Sequence, residues 1–150
     1  MLKLKDIMTR DVVSTGPDMT IRDAMELLSE RHISGAPVVD GGKVVGIFSS
    51  SDLLAMLADL NDTTPSLTFR RRKSRTTPLE DITVDDVMTR KVQSLPPHCP
   101  IEVAAGVMIK KQIHRVLVMD GDTILGIVST SDVAKAVAEH KIRSRTYVFA

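Results

Sequence analysis

The chain of 150 residues has one cysteine, Cys99, so no internal disulfide can form, and its thiol suits a reducing compartment. Tryptophan is absent, tyrosine occurs once and aromatic residues make up 3%. That scarcity argues against a surface that stacks single-stranded bases. Neither sign of charge prevails: 20 Lys and Arg stand against 19 Asp and Glu, a net of +1. Without an overall basic field, wholesale binding to nucleic acid or to an anionic membrane is not expected. No run approaches the ~18 apolar residues that span a bilayer. The start, Met1-Leu2-Lys3-Leu4-Lys5-Asp6, lacks the apolar stretch of a secretory signal. These absences point to a cytoplasmic protein with no membrane partner.

What is present is ordinary globular composition, with 43% hydrophobic and 26% charged residues, eight Gly and seven Pro. A chain this long can bury roughly 70% of its unfolded surface, so it needs neither disulfides nor metal to fold. The sequence also repeats itself. Met8-Thr9-Arg10 recurs as Met88-Thr89-Arg90. At the same offset of 80, Ile21, Ala24 and Ile33 match Ile101, Ala104 and Ile113. Val38, Asp40 and Gly41 match Val118, Asp120 and Gly121; Gly46-Ile47, Ser49, Ser51 and Asp52 match Gly126-Ile127, Ser129, Ser131 and Asp132. An ordered, gapless series in constant register marks a duplicated unit.

Each copy reads alike. Val12-Val13-Ser14-Thr15 is a short β-prone stretch closed by Gly16-Pro17. Thr20 offers a helix N-cap, with Asp23 three residues on in a capping-box arrangement. Ile21, Ala24, Met25 and Leu28 then fall on one helix face, as Ile101, Ala104, Ala105 and Met108 do in the second copy. Pro37-Val38-Val39 and Val44 to Phe48 are apolar runs joined through Asp40-Gly41-Gly42, a strong hairpin signal. A second helix follows Ser49-Ser50-Ser51-Asp52, showing Leu53, Met56, Leu57 and Leu60. The order is β-α-β-β-α, twice, an α+β architecture. One copy alone has little core, so two should pack together. The organisation expected is repeat 1 over 1–60, a basic linker over 61–79, repeat 2 over 80–141 and a tail over 142–150.

Two such repeats, each ending Gly-hydrophobic-hydrophobic-Ser-x-x-Asp, resemble a pair of CBS domains (cystathionine β-synthase type). The opening motif is Asp6-Ile7-Met8-Thr9 and Asp86-Val87-Met88-Thr89; the closing motif is Gly46 to Asp52 and Gly126 to Asp132. The resemblance covers residues 2–60 and 80–140. It implies two tandem repeats packed with pseudo-two-fold symmetry, with clefts between them that take adenosine-containing ligands. It also implies a homodimer and a regulatory role exerted on another protein.

Chemistry at the closing motif fits that implication. Asp52 and Asp132 fall at the start of a helix, where a carboxylate can accept hydrogen bonds from both hydroxyls of a ribose. Ser49, Ser129 and Thr130 lie where a hydroxyl can meet ribose or phosphate, beside the free N–H groups of the helix end. Ser-x-x-Asp before a helix is equally the pattern of a plain N-cap. The resemblance further places an adenine slot against Thr15, Pro37 and Val38 in one repeat, and Leu95, Leu117 and Val118 in the other. The second repeat alone has His114-Arg115, where the first has Ser34-Gly35. That pair resembles nucleotide-sensing CBS modules; Arg can grip a phosphate bidentately and an imidazole can add a hydrogen bond. A surface arginine without a partner is the plainer alternative.

Other motifs carry less. Arg70, Arg71, Arg72, Lys73 and Arg75 form a basic cluster that reads as a solvated linker, since no nucleic-acid fold or aromatic interleaving accompanies it. His32, His98, His114 and His140 show no metal-site spacing with one another or with Cys99. No phosphate-binding loop, Gly-x-Ser-x-Gly or activated cysteine is present, so catalysis is not expected. The reading is therefore a sensor of adenosine-containing ligands, AMP, ADP or ATP favoured, that needs no cofactor and signals to a partner protein. The rival is a structural adaptor with empty clefts that binds its partner constitutively.

Overall fold

A computed structural model describes residues 2–61 and 78–139; the basic cluster at 70–75 and the tail lie outside them. The elements of the first repeat are α1 (Leu4–Ile7), α2 (Ile21–Glu30), β1 (Gly35–Asp40), β2 (Lys43–Ser49) and α3 (Ser50–Asn61). After a 3-10 turn at Leu79–Asp81 come α4 (Val84–Val87), β3 (Ser94–Leu95), α5 (Ile101–Lys111), β4 (Arg115–Asp120), β5 (Thr123–Ser129) and α6 (Thr130–Ala138). The chain forms two compact units: a middle unit, Val13–Val92, and a terminal unit, Met1–Val12 with Gln93–Ala150.

In the middle unit, Thr20 caps α2 by accepting the Asp23 N–H at 3.1 Å. The 3.6-residue spacing then drives Ile21, Ala24 and Leu28 inward, where they are buried with Val38, Phe48 and Met56. β1 and β2 pair antiparallel, closed by Asp40 opposite Lys43. The two loop residues, Gly41 and Gly42, have φ of 58° and 80°, the left-handed backbone that a two-residue hairpin turn demands. The terminal unit repeats the antiparallel pair with β4 and β5, and adds β3, parallel to β4 through Ser94–Leu117 and Leu95–Val118.

The short strand expected at Val12–Thr15 contracts to a single bridge, Thr15 with Val38. The cause is Pro37. Its counterpart Leu117 donates its N–H to the Gln93 carbonyl at 3.0 Å. Proline has no N–H, so the matching bond to residue 13 cannot form and the ladder stops.

The repeats exchange their opening segments. Ile82, Val84, Val87 and Met88, from the second repeat, are buried in the middle unit's core. Leu4, from the first, is buried in the terminal unit beside Ala104, Val116 and Val128. Each segment locks by a two-bond clasp: Thr89 and Ile47 exchange N–H to carbonyl bonds at 2.8 and 2.9 Å, and Thr9 and Ile127 at 2.9 and 3.0 Å. The approach is close enough to require glycine beneath it. A Cβ on Gly46 would lie 2.8 Å from both the Met88 sulfur and the Thr89 carbonyl oxygen. On Gly126 it would lie 2.6 Å from the Met8 sulfur and 2.9 Å from the Thr9 carbonyl oxygen.

Helices α2 and α5 are each followed closely by a left-handed residue that is not glycine, His32 at φ 55° and Gln112 at φ 54°. At α5, the Ile113 N–H reaches Met108 O at 3.0 Å and the Gln112 N–H reaches Ile109 O at 3.2 Å, the double closure of a Schellman cap.

Three substitutions follow from this geometry, each read by urea or thermal unfolding. Gly126→Ala should destabilise by about 1–3 kcal/mol, because the Thr9 carbonyl is backbone and cannot yield as a side chain can. Gly106→Ala, in α5 with nothing within 4 Å of the added carbon, should stabilise by about 1 kcal/mol. Gln112→Gly should raise stability by up to about 1 kcal/mol by removing the left-handed penalty.

Candidate functional site

The second helix of each repeat begins where a strand ends, and its first turn is held by one carboxylate. At α6, Asp132 Oδ2 accepts the Ser129 N–H at 2.7 Å and the Ser129 hydroxyl at 3.0 Å. The Ser129 hydroxyl in turn accepts the Asp132 N–H at 3.3 Å, completing a capping box. At α3, Asp52 Oδ2 accepts the Ser49 N–H at 2.9 Å and the Ser49 hydroxyl at 3.1 Å. The plain capping role read from the sequence is thus real in both repeats.

The other oxygen has a second task. Asp52 Oδ1 accepts the Thr89 hydroxyl at 2.8 Å, and Asp132 Oδ1 accepts the Thr9 hydroxyl at 3.3 Å. A threonine from the exchanged segment therefore closes on the carboxylate that caps the helix. Thr9 and Thr89 were not among the candidate site residues, although the recurrence of Met-Thr-Arg was the signal that marked them.

In the terminal unit the structure gathers several candidates at the start of α6. Arg115 and Ser129 are register partners across the β4–β5 ladder. The Thr130 N–H donates to the His114 carbonyl at 2.9 Å. Imidazole, guanidinium, two hydroxyl-bearing residues and Asp132 thus belong to one end of one hairpin. The middle unit builds the same frame, with Gly35 opposite Ser49 and the Ser50 N–H on Ser34 O at 2.9 Å, but without the cationic pair.

The candidate adenine walls also recur in pairs. Thr15 is bridged to Val38, and Leu95 is paired with Val118. Thr15, Pro37, Val38, Leu117 and Val118 are buried, and Leu95 is half-buried. The Thr15 N–H is held by Pro37 O at 2.9 Å, so this wall is fixed by backbone bonding.

Two hollows flank the α6 start. One, of about 220 Å³, is lined by Asp6, Met8, Thr9, Asp132, Lys135 and Glu139 among others. Ala136 also lines it, whereas its counterpart in the middle unit is Met56, a fully buried core side chain. The other, of about 540 Å³, is mostly apolar and runs between α5 and α6, with His114 and Thr130 on its wall.

Burial pushes the Cys99 thiol above its ordinary range, which keeps it protonated and a poor nucleophile. Among the described residues no three His, Cys, Asp or Glu side chains are grouped to hold a metal, and no helix is long and apolar enough to cross a membrane.

Comparison with known proteins agrees with the repeat. The CBS domain family matches residues 4–59 and 84–139, two segments again offset by 80. The uncharacterized protein MJ1426 of Methanocaldococcus jannaschii is 34% identical over 91% of this chain and 92% of its own. The chain spans only 40% of another protein of that organism, MJ1232, and 15–38% of four related enzymes. Among solved structures, the CBS domain pair of MJ0100 in complex with 5′-methylthioadenosine and S-adenosyl-L-methionine is 26% identical, with a TM-score of 0.75. That match covers 93% of this chain and 98% of the other. CBSX2 in complex with AMP is 27% identical, with a TM-score of 0.73 over 94% and 99% of the two chains. With both repeats matched over nearly their full length, the chain belongs to the CBS domain family, as a tandem pair.

Proposed function

We propose that this chain is a regulatory module that binds adenosine-containing ligands at the closing motifs of its two units, phosphorylated adenosines at the terminal one. The observation that carries the reading is the cluster at the start of α6. There His114 and Arg115 are bonded or paired directly across from Thr130 and Ser129, with Asp132 one turn on. Asp132 takes the ribose hydroxyls, Ser129 and Thr130 meet ribose or phosphate, and the His-Arg pair holds phosphate by charge-assisted bonds. Leu95, Leu117 and Val118 wall the adenine. In the middle unit Asp52, Ser49, Thr15, Pro37 and Val38 take the same parts without the cationic pair, so the phosphate preference belongs to the terminal unit. The relatives solved with AMP and with S-adenosylmethionine support the ligand class.

The same geometry supplies a route for a signal. Thr9 already occupies Asp132 Oδ1, so a ribose on that carboxylate competes with the hydroxyl that pins the opening segment. A ligand with such a differential hold biases whether the segment is clasped or released, which is the requirement for a population shift. The output goes to a separate protein, and the module acts as a homodimer.

A thermal-shift series against AMP, ADP, ATP and S-adenosylmethionine, with guanosine counterparts as controls, tests this. Ligand at ~100 times its Kd adds ~2.7 kcal/mol, several degrees for a domain of this size. Asp132→Ala weakens the α6 cap and should lower Tm by itself; the informative quantity is the further rise on adding AMP. That rise should vanish at the terminal site in Asp132→Ala and survive there in Asp52→Ala, which loses the equivalent cap. No shift in the unmodified chain with any adenosine ligand would instead favour the constitutive adaptor. Arg115→Ala should weaken AMP about 10- to 100-fold, the loss of one charged hydrogen-bond pair, and leave adenosine nearly unchanged by titration calorimetry.

A further inference from the structure

The two opening segments share one set of backbone anchors. In the terminal unit Leu2 O accepts the Ile101 N–H at 3.1 Å, and Leu4 and Lys5 donate to Cys99 O and Pro97 O at 2.9 and 3.1 Å. The middle unit repeats this. Ile82 O accepts the Ile21 N–H at 3.0 Å, and Val84 and Asp85 donate to Met19 O and Pro17 O at 2.8 and 3.0 Å. With the exchanged bonds of the clasp added to each, backbone bonding does not tell the segments apart.

Packing does. Across 82–88, Ile82, Val84, Asp86, Val87 and Met88 are buried; across the matching 2–8, Leu4 alone is. Asp86 accepts both the N–H and the hydroxyl of Thr83, at 3.0 and 3.2 Å. Its counterpart Asp6 is exposed and accepts the N–H of Lys3, which has no hydroxyl to add, at 2.9 Å. The hollow of about 220 Å³ lies along the first segment, with Asp6, Ile7, Met8 and Thr9 on its wall opposite Ala136. Met56, at the position of Ala136, is instead buried in the same core as Val87 and Met88. The closing hydroxyl bond follows suit: Thr89 reaches Asp52 at 2.8 Å, and Thr9 reaches Asp132 at 3.3 Å. A segment with few buried apolar groups opens locally at little cost.

We infer that residues 2–9 form an inhibitory strap on the terminal site, opening while the rest of that unit stays folded, whereas residues 82–89 stay clasped. The inhibitory part rests on the reading of Asp132 as the ribose acceptor. Asp132 Oδ2 is committed to the α6 cap, so Oδ1 is the oxygen a ribose hydroxyl can claim, and the strap's Thr9 already holds it. Ligand and strap therefore compete for one atom. A ligand that takes the open form binds more weakly by the fraction of molecules open, and its binding raises that fraction. The middle site, behind the firmer clasp, fills only at higher ligand concentration.

Amide hydrogen exchange of the unmodified chain, resolved by residue with NMR, tests the strap. Without ligand, and after correction for intrinsic rates, Leu4, Lys5, Thr9 and Ile127 should exchange at least about ten-fold faster than Val84, Asp85, Thr89 and Ile47. AMP at a concentration that saturates the terminal site by calorimetry should speed Thr9 and Ile127 further, where a bound ligand ordinarily protects. Equal exchange in the two sets would overturn the inference, whatever AMP does. AMP that binds and slows Thr9 and Ile127 would overturn the competition. A second arm uses Thr9→Val, at an exposed position, which frees Asp132 Oδ1 and should tighten AMP several-fold; unchanged or weaker binding would overturn the inhibitory role. AMP that binds neither protein would sink the ligand reading and the inhibition with it, and the ligand-free exchange rates would still decide whether the strap opens.

Discussion

The structure depends on a small contact made twice: a Met-Thr dipeptide laid on a Gly-Ile dipeptide. Two backbone hydrogen bonds fix the threonine to the isoleucine, and the methionine sulfur sits where a side chain on the glycine would be. Because Met8-Thr9 binds Gly126-Ile127 and Met88-Thr89 binds Gly46-Ile47, neither repeat closes with its own opening segment. Each unit's core is completed from the other repeat: the middle unit by Ile82, Val84, Val87 and Met88, the terminal unit by Leu4. Fully buried aliphatic side chains contribute roughly 1.5–3 kcal/mol each, so either half without its borrowed segment loses a substantial part of a small core. Each unit's core is therefore built from residues of both repeats.

The carboxylate that begins the second helix is tied to that clasp. One oxygen of Asp132 and of Asp52 serves the helix cap, and the other holds the threonine of the clasp. A group that caps, pins and stands in a candidate ligand site links helix stability, segment docking and ligand contact in one side chain. The two readings of Ser-x-x-Asp, cap and binding group, are for this reason not exclusive. The cap fixes the aspartate in one rotamer, and a pre-positioned acceptor costs a ligand less to engage.

Much of this was legible in the residues themselves. Thr20 with Asp23, the Ile21-Ala24-Leu28 stripe and the Asp-Gly turn are local signals, and each produced the element expected. The duplicated closing motif located both helix starts. What local signals do not carry is partnership. A buried Leu4 or Val84 announces that it is covered, never by which copy, so the exchange of segments was invisible. Pro37 was read as part of a strand, correctly; its missing N–H shortened a different strand, at Thr15, through a bond that only the pairing reveals. In the sequence Thr9 and Thr89 stand out only as repeat markers, because the aspartates they meet lie 123 and 37 residues away.

Among the identities that survive at the offset of 80 are those the clasp and the caps demand: Met-Thr, Gly-Ile, Ser and Asp. The differences fall where these contacts impose nothing. Ala136 lines a hollow where its counterpart Met56 is a buried core side chain, and His114-Arg115 replaces Ser34-Gly35 at the edge of the ladder. One scaffold, held twice by the same few contacts, thus carries different side chains in its two units. The binding site proposed for the two units rests on the shared residues, and any asymmetry between the units rests on those that diverged. The cationic pair belongs to the second set. Its place beside the frame that both units share, and not within it, lets the proposed phosphate preference differ between the units without either losing its fold.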